Sequence, residues 1–197
     1  MADIILYHHP MTRSGTVRWI LEELGAPYTL VDVPVREGAS QTEAFKKLNV
    51  MGKIPVIKDG EVVVSEMSAI ALYLADRFPE AGLTPALNDP GRGPFMTWIV
   101  RCTAGIEPAM MQKMAGFEAN PGSTGWGSYE QMVDAVETTL TPGPYLLGER
   151  VSLADVVLGA TLSLALYFKL WEPRPVFADY TARMRARPAF ARSREEA

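Results

Sequence analysis

Apolar positions follow two different periods along this chain, and the change of period divides it. Ile4-Ile5-Leu6-Tyr7 is a short apolar run that reads as a buried strand. From Gly15 the spacing turns helical, with Val17, Ile20, Leu21 and Leu24 at i, i+3, i+4 and i+7, and Gly25 stands where a helix stops. Residues 27–33 form a second β-rich run. Strand, helix and strand at these lengths predict a parallel pair joined by a right-handed crossover. Residues 40–48 predict a short helix with Phe45 and Leu48 inward. Val56-Ile57 and Val62-Val63-Val64 bracket Asp59-Gly60, the strongest short hairpin signal, and a helix carrying Ile70, Tyr73 and Leu74 on one face runs on to Phe78.

Beyond Phe78 the pattern changes. Residues 78–94 are rich in Pro and Gly without apolar periodicity, which marks a linker. Phe95, Trp98, Ile99, Cys102, Ile106 and Met110 then predict one long helix. The glycine-rich residues 115–128 predict a loop, and residues 129–140 a helix with Met132, Val133, Val136 and Leu140 at helical spacing. Ser152 precedes a run over 153–170 that is apolar nearly all round, as in a central core helix. Asp155 sits at N3, so the pair forms a short-armed capping box in which the Ser152 N-cap is worth about 1 kcal/mol. The expected domains are 1–79, a linker over 80–93, and an all-helical 94–197.

Composition narrows the function. Nearly half of the 197 residues are hydrophobic and the net charge is −4, so nothing argues for nucleic acid or an anionic membrane surface. No run of eighteen apolar residues predicts a membrane span. Cys102 is the only cysteine, so an internal disulfide is impossible and a reducing compartment, the cytoplasm, is expected. The residues after Met1 lack the basic and apolar pattern of a signal peptide, which carries the same expectation.

Residues 49–70 concentrate the chemistry. Pro55 cannot donate a ladder hydrogen bond, so it opens its strand, and an Ile54-Pro55 bond at that place is a candidate cis peptide. A cis bond leaves the backbone of Ile54 available to an extended ligand. After the second hairpin strand a helix begins near Met67 and points its N-terminus back at the proline loop, which makes a carboxylate site. This arrangement resembles the glutathione transferase family, and the Val151-Ser152-Leu153-Ala154-Asp155 stretch is a second match at the family's spacing. The resemblance covers nearly the whole chain. It implies an α/β thioredoxin-like N-terminal domain, an all-α C-terminal domain and a homodimer. Glutathione is the implied co-substrate, attacking a small hydrophobic electrophile as the thiolate.

Site residues follow from the same resemblance, position by position. The backbone of Ile54, next to Pro55, pairs with the cysteinyl unit, Lys53 meets the glycyl carboxylate, Glu66 accepts from the γ-glutamyl ammonium, and Met67 offers its N–H. Met67 departs from the family, which usually has Ser or Thr there. Counting from Pro10, Thr12 falls at the serine position of Ser-type members and Arg13 at the cysteine position of Cys-type members. Thr12 is the expected thiolate donor and Ser14 the reserve; either hydroxyl also suits a cap for the helix beginning near Gly15, and Arg13 offers a positive charge instead. Tyr7 stands where another branch carries a tyrosine, but its alternation fits a core or edge position equally. An electrophile pocket between the domains would be lined by Met11, Trp98, Cys102 and Trp126, with Tyr167 and Trp171 as weaker candidates. Cys102 also fits a buried small hydrophobe. His8-His9 lacks a third ligand at metal spacing, and neighbours on a strand face opposite ways, so no metal is expected.

Alternatives stay open. The same scaffold serves glutathione-dependent isomerases, reductive dehalogenases and peroxidases. It also serves non-catalytic modules that bind glutathione or a protein partner. A thiol–disulfide oxidoreductase fails on the nucleophile, since residues 10–14 contain no cysteine.

Overall fold

The computed structural model describes residues 4–195. Within them the chain forms two compact units, residues 4–81 with 188–195, and Gly82–Arg187.

The first unit holds strands β1 (Ile4–His8), β2 (Tyr28–Asp32), β3 (Val56–Asp59) and β4 (Val62–Ser65) in the order β2-β1-β3-β4. β1 and β2 run parallel, and β3 is antiparallel to both β1 and β4. The β3–β4 loop has its positive φ at Gly60 (59°), the first loop residue, as a type II′ turn requires. Helices α1 (Ser14–Leu24) and α3 (Met67–Arg77) lay Val17, Ile20, Leu21, Ile70 and Leu74 against Leu6 and Ile57, all fully buried. α1 ends as its Gly predicts. Gly25 takes the left-handed region and Ala26 N–H donates to Leu21 O at 3.1 Å, the closing bond of a Schellman motif.

Two features of this unit differ from expectation. The predicted 40–48 helix is a 3₁₀ turn (Ala39–Gln41) followed by the one-turn α2 (Glu43–Lys46). Thr42 divides them in an extended conformation and caps α2 by accepting from Phe45 N–H. The other difference is the tail. Residues 188–195 belong with this unit, not with the all-helical one, because α9 (Pro188–Arg192) packs Phe190 edge-on against Trp19, with ring centroids 4.8 Å apart. Arg192 Nε donates to Glu22 Oε2 at 2.8 Å. Trp19 lies outside the apolar stripe of α1 yet is fully buried, and this contact is the reason.

The second unit contains α4 (Arg92–Arg101), α5 (Glu107–Ala115), α6 (Tyr129–Leu140), α7 (Leu153–Tyr167) and α8 (Pro175–Arg185). The long helix expected from Phe95 to Met110 is continuous but widened by a π-helical segment, Cys102–Ile106. Pro108 supplies the cause: it has no N–H for Ala104 O, and its ring clashes with that carbonyl in a regular α-helix. α6 has the predicted bounds and gains a capping box between Ser128 and Gln131.

α7 is buried on nearly every side through its first ten residues. Its Ser152–Asp155 capping box forms as expected. Asp155 also accepts from Leu146 N–H (2.8 Å) and Tyr180 O–H (3.0 Å). α7 stops at Tyr167, short of the predicted 170. Lys169 enters the left-handed region at φ 56°, and Leu170 N–H closes onto Ala165 O at 2.8 Å.

Candidate active site

Strand register brings the predicted site segments to one end of the sheet. Tyr7 lies opposite Val56, and Val56 opposite Ser65, so the end of β1, the start of β3 and the end of β4 share one edge. The 9–13 turn, the 49–55 loop and the Glu66-Met67 junction all leave from that edge. Two helix N-termini, those of α1 and α3, open there as well.

The 9–13 turn is held by hydroxyls. Thr12 Oγ1 donates to His9 O at 2.8 Å and lies 2.6 Å from Ser14 Oγ. Ser14 Oγ accepts from His9 N–H (3.2 Å) and lies 2.7 Å from His8 Nδ1. Ser14 is fully buried, whereas Thr12 is half-buried. Met11 stands out at 67% exposure with φ 59°, a left-handed conformation that turns the chain toward α1. Arg13 is the residue preceding α1, half-buried and already helical. His9 Nδ1 pairs with Asp32 at 2.9 Å, while His8 is half-buried. Burial and then the Arg18 guanidinium push the His8 pKa below its ordinary value, against an opposing pull from Asp32. Tyr7 is half-buried and packs against the core, its ring edge-on to Phe45 at 5.8 Å beside Val33 and Val56.

The proline loop is pinned from three sides. Asn49 Nδ2 donates to Lys53 O (2.8 Å), Met51 N–H donates to Asn49 Oδ1 (3.1 Å), and Gln41 Nε2 donates to Gly52 O (2.8 Å). Gly52 has φ 60°, and a Cβ there would stand 2.7 Å from Ser40 O, so the loop admits only glycine. The Ile54-Pro55 bond is cis, Pro55 is buried and Lys53 is exposed. At the third segment Glu66 is exposed with φ 71° and ψ 121°, a conformation that costs a non-glycine residue about 1–3 kcal/mol. Ile70 N–H makes the first bond of α3, to Glu66 O, so the Met67 N–H lies ahead of the intrahelical ladder. The Met67 side chain is buried beneath it, 4% exposed.

Family models match both halves of the chain. "Glutathione S-transferase, N-terminal domain" matches residues 11–77 and "Glutathione S-transferase, C-terminal domain" residues 103–183. Glutathione S-transferase Z2 of Arabidopsis thaliana is 30% identical over 186 residues, spanning 88% of this chain and 82% of that protein. The chain belongs to the glutathione S-transferase family. Another relative is the probable maleylacetoacetate isomerase of Vibrio cholerae, 31% identical over 82% of this chain and 80% of its own length. Among solved structures, a glutathione transferase from Methylococcus capsulatus is 28% identical with a TM-score of 0.80, covering 96% of both chains. A Sulfitobacter homologue solved with bound glutathione is 25% identical with a TM-score of 0.79, covering 98% of this chain and 97% of its own.

The glutathione transferase fold is therefore an α/β thioredoxin-like unit followed by a helical one, and the predicted glutathione segments share a sheet edge. The predicted electrophile lining fares differently. Trp98 is 5% exposed and Cys102 fully buried; both fill the helical core, on the inward face they share with Phe95 and Ile99. Trp171 is core too, edge-on to Tyr129 at 5.4 Å. Trp126 is half-buried, its Nε1 donating to Gln112 Oε1 at 2.8 Å and tying the glycine-rich loop to α5. The exposed large hydrophobic residues of α4 are Met96 and Val100, which line a groove of about 440 Å³ with Arg101, Gly105 and Met132. Among the described residues no group of three or more His, Cys, Asp or Glu is placed to hold a metal, and no helix is long and apolar enough to cross a membrane.

The contact of His8 with Ser14 is the feature of this turn that sequence reasoning missed. Considered as half of a His-His pair, His8 leads only to the metal question. The available signal was the His8–Ser14 spacing, a strand end and the first residue of the following helix.

Proposed function

We propose that this chain binds glutathione along the proline loop and holds it as a thiolate, which attacks the electrophilic carbon of an apolar substrate. Thr12 donates to the sulfur. The observation that carries this reading is the contrast between two hydroxyl residues whose oxygens lie 2.6 Å apart: Thr12 at the head of α1 is only half-buried, and Ser14 behind it is fully buried. Only Thr12 has surface to offer a ligand. Ile54 pairs through its backbone with the cysteinyl unit. Lys53, Glu66 and the Met67 N–H hold the two ends of the tripeptide.

The energetics suffice. A free thiol has a pKa of about 8.5, and lowering it by two units takes roughly 2.7 kcal/mol. A hydroxyl donating to an anion supplies about 1.5–3 kcal/mol, and the α1 N-terminus beside Arg13 adds up to about 1 kcal/mol. The protein works as a cytoplasmic homodimer, and Met11 borders the electrophile.

Glutathione-affinity retention combined with thiolate absorbance of the bound complex tests the reading. The expected midpoint lies about two units below that of free thiol. Retention with an unshifted midpoint leaves a glutathione binder and removes the transferase.

A second reading rests on the Vibrio cholerae relative, whose name is that of an isomerase. Here the thiolate adds to a conjugated double bond, the single bond so formed rotates, and the thiolate leaves again. Assaying maleylacetoacetate beside aromatic halides separates the two: isomerisation without net glutathione consumption selects the second.

A further inference from the structure

The hydroxyls behind the thiolate site have a choice of proton positions, and the choice ends on a histidine. His9 O can only accept, and it lies 2.8 Å from Thr12 Oγ1 and 3.3 Å from Ser14 Oγ, so either hydroxyl proton can rest on it in the ligand-free turn. Ser14 Oγ lies 2.6 Å from Thr12 Oγ1 and 2.7 Å from His8 Nδ1. Sulfur site, Thr12, Ser14 and His8 thus form a chain in which every internal link is a short hydrogen bond.

We propose that His8, acting through Ser14, is a positioning residue for the transferase reaction: it takes up the proton that leaves the glutathione thiol and thereby aligns both hydroxyls toward sulfur. The inference rests on Thr12 as the thiolate donor. The step balances as a relay. The S–H bond breaks as its proton joins Thr12 Oγ1, the Thr12 proton passes to Ser14 Oγ, and the Ser14 proton passes to His8 Nδ1. The products are a thiolate, two intact hydroxyls and an imidazolium. The new protons all point back along the chain, His8 to Ser14, Ser14 to Thr12 and Thr12 to sulfur, and each bond polarises the next. No proton crosses to solvent while the thiolate forms.

The surroundings suit an acceptor that starts neutral. Arg18 on α1, His9, and Arg194 on the tail oppose protonation of His8, and Asp32 on β2 favours it. With burial added, the balance keeps the ring neutral near pH 7 in the ligand-free protein. A thiolate arriving at the other end of the chain tips that balance toward the imidazolium. Ser14 has no surface of its own, so its role is to transmit.

Proton release on glutathione binding separates this relay from a purely structural network. Calorimetry of the full-length protein in two buffers of different ionisation enthalpy counts the released protons, and thiolate absorbance on the same samples counts the thiolate. The unaltered protein is expected to form thiolate while releasing almost no proton to buffer. His8→Asn keeps a donor toward Ser14 but cannot take a proton, so release should rise to nearly one proton per thiolate. Ser14→Ala cuts the relay without touching residue 8 and should raise the thiol midpoint so that tenfold less thiolate forms at a given pH. Release of one proton per thiolate by the unaltered protein overturns the relay, whatever the variants do, and leaves Thr12 as donor intact. Glutathione bound with no thiolate at all overturns both.

Discussion

Two hydrogen-bonded clusters stand at helix N-termini in this protein, and they are built on opposite principles. At α7, Asp155 is fully buried and accepts from Leu146 N–H, Ser152 N–H, Ser152 O–H and Tyr180 O–H. Burial outweighs those donors and holds its pKa above the usual carboxylate value. Burial, followed by the Asp155 charge, pushes the Tyr180 phenol well up. Every proton there has one place to be. At α1, Thr12, Ser14 and His8 share their protons among several oxygens and a ring nitrogen at similar distances. The first cluster specifies a fold. The second keeps an unresolved proton beside the site, which is what acid–base chemistry needs and what a purely structural cap has no use for.

The difference is open to test by removing one member of each cluster. Asp155→Ala strands buried donors and should cost about 3 kcal/mol in a denaturant titration, since each unsatisfied group costs roughly 1–3 kcal/mol. Thr12→Ala should do the reverse: turnover falls tenfold or more, equivalent to about 1.4 kcal/mol on the barrier, while glutathione affinity stays within a few-fold. An unchanged turnover in that variant would move the donor role away from Thr12. The smallest effect is one of pH. The His8 pKa is lowered in the folded state, so the unfolded chain binds the proton first on acidification. Stability should be fully present above the unfolded value of 6.5 and fall as pH drops toward the lowered folded value. Urea midpoints between pH 7.5 and 5 should show that slope in the unaltered protein and a shallower one in His8→Asn.

What was legible in the sequence was local. The 129–140 helix, the Ser152–Asp155 box, the Asp59-Gly60 hairpin and the strand-opening Pro55 each follow from residues within a few positions of one another. The hidden features depend on distance along the chain or on geometry that periodicity ignores. Pro108 sits inside an apolar stripe that continues unbroken through it, so spacing alone predicts a regular helix where a π segment forms. Trp98 and Cys102 share the inward face that the stripe itself defines, and a pocket lining needs the other face. Trp19 is covered by Phe190, and no local pattern announces a partner that far along the chain. At the site, the three segments proposed to hold glutathione were legible from motif and spacing, and strand register brings them to one end of the sheet. Thr12 was the expected donor and Ser14 the reserve; the complete burial of Ser14 was not legible, because side-chain exposure depends on how α1 docks against β1.

The docking of α9 on α1 has a consequence for biosynthesis. The thioredoxin-like unit is encoded on both sides of the helical one, so the ribosome delivers its sheet first and the cover for Trp19 only after the helical unit. Until residues 188–195 emerge, the nascent protein carries an uncovered indole on its first helix. A gene fragment stopping at the linker would leave it so for good, and such a fragment should aggregate where the intact polypeptide does not.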